Sequence, residues 1–291
     1  MADLPDRDAG ALERLRGHLR RTFERRPKPL HPVRPPVWQR PADLAGAFLV
    51  AVLVTILVLD PHAQAWAMSY DDSVRGFFYW VTRYGKADWF LWPLGLTLLA
   101  ILIASGFEWP LKVRAALHHW GARIAFIIAA VAIPGLATSL LKLVVGRARP
   151  GVEGSHGILD VTTFALGADF QSFPSGHTTN AITLAVALTV LWPRYWAFFL
   201  SFPIIIGTSR VMVLDHYPSD VMGGWLLGAV GVLWIRNWCA RRKLVFRPCP
   251  GGRVVRRRLP HVESATWPAL RDTAQSLLTA AAAMPQSRPR D

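Results

Sequence analysis

Apolar residues along this chain gather into six blocks, at residues 43–59, 87–105, 122–145, 178–192, 196–214 and 221–238, separated by polar stretches. Within a block the apolar positions run on all sides of a helix rather than at amphipathic spacing. A helix of about 20 such residues spans the ~30 Å hydrocarbon core of a bilayer. The pattern predicts an all-α polytopic membrane protein, a six-transmembrane-helix bundle. The fourth block is the shortest, and it crosses only if Gly176 and His177 sit at the membrane's edge.

Three regions follow from that pattern. Residues 1–42 form a basic tail, with Leu12, Leu15, Leu19 and Phe23 at helical spacing among arginines and a Pro-rich linker over 27–41. Both an inner-leaflet helix and an ordinary solvated tail fit residues 11–26. Residues 43–238 form the membrane domain, and 239–291 a second basic tail without clear periodicity. Arg20-Arg21-Thr22-Phe23 resembles a twin-arginine export signal, and the AQA at 63–65 resembles a cleavage site, but the arginine pair lies too far from the first block. The first block is therefore read as a retained span.

The chain carries a formal charge of +14 in 291 residues, which would suit a nucleic-acid partner if it were spread over one face. It is concentrated in the flanks instead: Arg25, Arg26, Lys28, Arg34 and Arg40 before the first block, Arg236, Arg241, Arg242, Lys243 and Arg247 at and after the last. Positive residues mark the cytoplasmic side, so both termini are placed in the cytoplasm, six spans satisfy that parity, and no nucleic acid is expected. Residues 60–86, 146–177 and 213–220 then face outward, and 106–121 and 193–195 inward. Trp89, Trp109, Trp192, Trp196 and Trp238 fall near block ends, as interfacial rings or as core filler. Cys239 and Cys249 lie in or near the inner tail, where a structural disulfide is not expected, and no Cys/His spacing suggests zinc. His118-His119 falls in the inner loop without further ligand-type residues.

Ionisable residues at the ends of spans are costly and therefore functional candidates. They form three islands, all on the outward side. In KLVVGRARP, Lys142 and Arg149 are seven residues apart, two turns on one face if the helix continues, and either a ligand site or snorkelling toward headgroups explains them. In FPSGHTTN, Pro174 and Ser175 precede a helix whose first turn holds Gly176 and His177. Its free N–H groups suit an anion, though Ser175 also suits a plain N-cap. In SRVMVLDHYPSD, Ser209 and Arg210 lie in the fifth block, and His216 and Asp220 bracket the turn into the sixth. A guanidinium at that depth calls for an acidic partner or an anionic ligand, and Asp215 is the nearby acid. Glu153, Asp160 and Asp169 lie between the first two islands, either shaping headgroup choice or keeping the loop soluble.

In order, type and spacing, Lys142 with Arg149-Pro150, then Pro174-Ser175-Gly176-His177, then Ser209-Arg210, His216 and Asp220 resemble the three-part signature of the type 2 phosphatidic acid phosphatase family, which includes the vanadium haloperoxidases. The resemblance covers roughly residues 43–238. It implies a membrane phosphatase that uses a phosphohistidine, with no metal and no cofactor. His216 would attack phosphorus, Asp220 would orient and polarise it, and His177 would protonate the leaving group. Lys142, Arg149, Ser175, Gly176 and Arg210 would hold the phosphate oxygens. The count suits the chemistry, since a phosphate monoester carries about −1.5 to −2 charge at pH 7.

The substrate class implied is a lipid phosphate or pyrophosphate reached from the surrounding membrane lipids: phosphatidic acid, phosphatidylglycerol phosphate, undecaprenyl pyrophosphate or a lipid A phosphate. Phosphotransfer to another acceptor would use the same residues, and a haloperoxidase would hold vanadate in them. A non-catalytic lipid-binding or transport protein would not need both histidines and Asp220. The expected location is a bacterial inner membrane, with the site facing outward.

Overall fold

A computed structural model describes residues 40–152, 158–164, 167–249 and 253–257, with isolated tail positions. The amphipathic stretch 11–26 except residues 13, 16, 17 and 20, the Pro-rich 27–39 except residue 36, Glu153 and nearly all of 258–291 lie outside the described residues.

Each apolar block is helical. Helix α1 is Pro41–Val58, with Pro41 at its start. Helices α2 (Asp60–Met68) and α3 (Asp72–Thr82) occupy the stretch expected as an outer loop, and a 3-10 turn, Arg83–Gly85, leads into α4 (Asp88–Ala104). Helix α5 (Leu111–Val145) runs 35 residues, about 52 Å, so its N-terminal part extends beyond one bilayer thickness. Helices α6 (Gly176–Leu191), α7 (Trp196–Met212) and α8 (Pro218–Arg241) complete the bundle. Among the described residues five helical stretches are long and apolar enough to cross a membrane; α6 is apolar but has only 16 residues, about 24 Å.

The short helix sits at the centre. Helix α6 packs against α5, α7 and α8, while α1 lies along α8 and α3 along α7. Enclosed by its neighbours, α6 starts among buried residues, with Ser175, Thr178 and Thr179 fully covered, and its N-terminus lies at the base of a recess. The close approach of α6 to α8 depends on Gly224: a Cβ there would lie 2.7 Å from the carbonyl oxygen of Ser175 and 3.1 Å from Thr179 Oγ1.

The opposite end holds the main apolar cluster, built from Phe126 and Ile127 of α5, Ala187 and Leu191 of α6, and Val232 and Ile235 of α8. A two-stranded antiparallel hairpin, β1 (Phe246–Pro248) with β2 (Val254–Arg256), closes it. Phe246 and Val254 are buried there, with the Phe246 ring edge-on to Phe126 at 4.9 Å. The packed body thus runs past residue 238 into the segment assigned to the second tail. Among the described residues the hairpin and an isolated antiparallel bridge between Arg147 and Val161 are the departures from an all-helical chain, too short to show as a pattern of alternation.

Helix α5 does not continue to Arg149. Gly146 adopts the left-handed conformation (φ 60°), and its N–H donates to the Lys142 carbonyl at 2.9 Å, which ends the helix. Lys142 and Arg149 are therefore not two turns apart on one face, and a loop carries the arginine instead. That loop is stitched to residues 158–172: Thr162 N–H donates to Gly146 O at 2.7 Å, Arg149 N–H to Asp169 O at 2.8 Å, and Ser172 N–H to Arg147 O at 3.0 Å. Asp160 and Asp169 thus shape the site through their main chains, since Ala148 N–H donates to Asp160 O.

Candidate active site

All three polar islands meet at the recess, where α5 and α7 end and α6 and α8 begin. Backbone bonds tie the second island to the third, with Ser175 N–H donating to Asp220 O at 3.0 Å. Gly176 faces the end of the Lys142 side chain, since a Cβ on that glycine would lie 3.8 Å from Lys142 Cε and 3.9 Å from Nζ. His118 and His119 lie far away, 23 or more residues earlier on α5, or about 35 Å along its axis.

Ser175 occupies the N-cap position of α6 with extended backbone, but its hydroxyl makes no cap bond. It is fully buried and without a hydrogen-bond partner. The bond that a plain N-cap would make is therefore absent, and a buried hydroxyl left unpaired costs about 1–3 kcal/mol. Of the other buried, unpartnered side-chain atoms among the described residues, three lie in the same islands: Nε of Arg149, Nε of Arg210 and Nδ1 of His216. Arg149 Nη1 meets Asp215 Oδ1 at 2.5 Å, Arg210 Nη2 meets Asp215 Oδ2 at 2.6 Å, and Arg210 Nη1 donates to Thr82 Oγ1 at 2.8 Å. Asp215 is thus the acidic partner of both arginines. One carboxylate holds two like charges side by side while leaving a donor on each free.

The segment between α1 and α4 contributes more than its sequence suggests. Thr82 receives Arg210, and Gly85 lies against His177 so closely that a Cβ would meet the imidazole Cδ2 at 2.9 Å. The residues 82–85 therefore roof the site, a role no periodicity or motif announced.

His216 is 2% exposed, with Nδ1 3.7 Å from Asp220 Oδ2, an ion-pair separation too long for a hydrogen bond. Nδ1 is thus the ring nitrogen that faces the carboxylate. Burial pushes the His216 pKa down to about 4, against the opposing pull of Asp220, so the ring is neutral at physiological pH. Asp220 is held from several sides. Its Oδ2 accepts from Tyr217 N–H at 2.8 Å and Ser172 Oγ at 2.6 Å, and its Oδ1 accepts from Arg147 Nη1 at 2.6 Å.

Arg147, not singled out from the sequence, is 4% exposed. It also donates to Asp60 Oδ2 at 2.8 Å, Ser219 Oγ at 2.6 Å and the Ile158 carbonyl at 2.7 Å, with its guanidinium carbon 4.4 Å from the Tyr217 ring centre. Burial opposes its charge, but Asp220 and Asp60 outweigh that and raise its pKa. The sole sequence clue is an extra arginine within GRARP, two positions from the one the motif uses.

Among the described residues no group of three or more His, Cys, Asp or Glu side chains is placed to hold a metal ion. From the lysine and α6 end of the recess a cavity of about 440 Å³ opens between α5 and α6, lined by Leu91, Val131, Thr138, Ser139, Lys142 and Asn180 among others. It joins an anion-suited end to an apolar one, a shape that fits an amphiphile.

A family model described as the PAP2 superfamily matches residues 123–244. The lipid A 1-phosphatase of Rhizobium etli is 39% identical over 140 residues, 48% of this chain and 60% of that protein. The lipid A 1-phosphatase of Rhizobium johnstonii is 32% identical over 215 residues, 72% of this chain and 86% of that protein. This chain thus spans somewhat less than two thirds of the first relative's length and most of the second's. A solved structure of a transmembrane PAP2 type phosphatidylglycerolphosphate phosphatase from Bacillus subtilis aligns with a TM-score of 0.49 at 18% identity, over 68% of this chain and 94% of that one. Because the likeness to the second Rhizobium protein runs through nearly its whole length and the matched segment holds all three islands, the chain belongs to the PAP2 superfamily.

Proposed function

We propose that this membrane protein hydrolyses a lipid phosphate monoester of the lipid A 1-phosphate type through a phosphohistidine. The observation that carries the reading is the set of buried, unpartnered donors, Ser175 Oγ and the Nε atoms of Arg149 and Arg210, beside the Lys142 ammonium and a neutral buried imidazole. Phosphate oxygens satisfy those donors. The N–H groups of the first turn of α6, at Gly176 and His177, add to them at the positive end of the helix.

In the first step His216 Nε2 forms a bond to phosphorus while the bond from phosphorus to the lipid oxygen breaks. His177 gives a proton to the departing oxygen, and Asp220 balances the positive charge that grows on the His216 ring. In the second step His177 takes a proton from water, the water oxygen bonds to phosphorus, and the nitrogen–phosphorus bond breaks to release inorganic phosphate. Lys142, Arg149 and Arg210 hold the equatorial oxygens through both transition states.

The lipid A type is favoured because two relatives carry that name, and because polar groups, Ser139 and Asn180, line the cavity next to the phosphate end, where a sugar would lie. The basic flanks support a reading with both termini in the cytoplasm and the recess on the outer face of a bacterial inner membrane. The test is phosphate release by the purified protein in detergent from lipid A 1-phosphate, phosphatidic acid, phosphatidylglycerol phosphate and undecaprenyl pyrophosphate. Fastest release is expected from the first. Preference for another lipid overturns the substrate, and release from none overturns the hydrolase.

A further inference from the structure

Behind His216 lies a buried charge group that the reaction described above does not use in full. Asp60 begins α2, is 1% exposed, and reaches across to the start of α8: its Oδ1 accepts from Ser219 N–H at 3.0 Å, and its Oδ2 from Ser219 Oγ at 2.5 Å and from Arg147 at 2.8 Å. Arg147 stands between two carboxylates, Asp60 on one side and Asp220 on the other. A lone cation on Asp220 would draw off the negative charge that His216 needs as its ring becomes positive. A second carboxylate on the same cation shares that load. Ordinary packing does not call for so costly an arrangement, since buried ion pairs lose in desolvation much of what they gain in attraction.

From this geometry we infer that Arg147 and Asp60 are positioning residues that set both the orientation of Asp220 and the share of its charge directed at His216. The inference rests on His216 being the nucleophile. Arg147 fixes the carboxylate through Oδ1 so that Oδ2 faces the ring, and Asp60 holds Arg147 partly neutralised. Four further groups face His216: Arg210 from α7, Lys142 from α5, His177 from α6 and Asp220 from α8. None is altered in the variants below, so any change in His216 reports on the group behind Asp220.

The two members predict opposite effects. Asp60→Asn leaves Arg147 wholly on Asp220, so the His216 ring becomes harder to charge. Adding Arg147→Met to that variant removes the cation, leaves Asp220 unshared and makes the ring easier to charge. Arg147 bonds Asp220 and not His216, so its effect on the ring passes through that carboxylate; the two midpoints should differ in that order, with the wild type between them.

The measurement is the His216 titration midpoint, read by NMR on ¹⁵N-histidine protein in detergent and assigned by the signal lost in His216→Ala. Turnover of dioctanoyl phosphatidic acid is followed in parallel. Asp60→Asn should lose about 10- to 100-fold in kcat with little change in KM, and the double variant should recover part of it. Coincident midpoints, or the reverse order, overturn the inference. If either variant fails to fold, Ser219→Ala removes the bridging hydroxyl without changing any charge, and it should lose ~3- to 10-fold in kcat at unchanged KM; full activity there overturns the inference equally. Failure of the underlying reading is distinguishable, because His216→Ala would then keep its turnover whatever the midpoints do.

Discussion

Gly224→Ala places one methyl group at the point where α8 meets the start of α6. Its Cβ would lie 2.7 Å from the Ser175 carbonyl, about 0.7 Å short of the 3.4 Å at which ordinary contact begins, and it would press on the hydroxyls of Thr178 and Thr179. Those neighbours cannot readily yield, because the same carbonyl accepts from Thr178 Oγ1 and Thr179 Oγ1, both at 2.9 Å, and from Thr179 N–H at 3.0 Å. The helices must move apart, and overpacking of this kind costs about 1–3 kcal/mol. Movement here lengthens the 3.0 Å bond from Ser175 to Asp220 and separates the phosphate-holding island from His216. Misplacement of around 1 Å can cost ~10²-fold in rate, so kcat/KM for phosphate release should fall about 10- to 100-fold, with a lower melting temperature in detergent. Gly95→Ala, where no atom lies within 4 Å of the added carbon, serves as the control and should match wild type. If Gly224→Ala keeps wild-type kcat/KM, the α6–α8 contact does not set the spacing of the two islands and the reasoning fails.

His216→Ala should show neither turnover nor covalent phosphate with any substrate, whereas His177→Ala should lose about 10²- to 10⁴-fold and trap acid-labile, base-stable phosphate; labelled phosphate on His216→Ala instead would reverse the two roles. The His216 pKa, lowered by burial from 6.5 to about 4, means that protonation favours unfolding: this group's contribution is complete above about pH 6.5 and is lost as pH falls toward 4. His216→Asn should therefore flatten the decline in melting temperature over that interval, and an unchanged slope would refute it. Activity should survive EDTA and be inhibited by orthovanadate, and a loss that magnesium restores would contradict the metal-free reading. In cysteine-free protein in spheroplasts, Leu159→Cys should react with an impermeant thiol reagent and Arg253→Cys should not; the reverse result places the recess on the cytoplasmic side.

The helices were legible because a bilayer forces each span to satisfy its own backbone within one continuous apolar segment, and such segments stand out at any alignment of the reading window. Even the weakest, residues 178–192, is a helix, shortened for the reason its polar start implies: α6 opens at Gly176 inside a recess. The residues of the three islands could be gathered because each island is contiguous and carries its own chemistry. What escaped notice is held by partners far apart in the chain. Arg147 and Arg149 look alike in GRARP, and only the turn at Gly146 and the loop bonds to 158–172 send one to Asp60 and Asp220 and the other to Asp215. Thr82 and Gly85 belong to a segment whose only sequence signal was that it is not apolar enough to span. The hairpin strands are three residues each, and an alternation that short cannot be told from chance.

Asp60 is synthesised early and its partners late: Arg147 follows 87 residues on and Ser219 follows 159 residues on. Until Arg147 has been made, that carboxylate lacks the cation that holds it in the folded protein. The full set of bonds to Asp60 can close only once Ser219 has been made, and it joins α2 to α8. A chain cut between α4 and α5 would leave the acid on one fragment and the arginine on the other, so that activity in a mixture of the two halves would report their association.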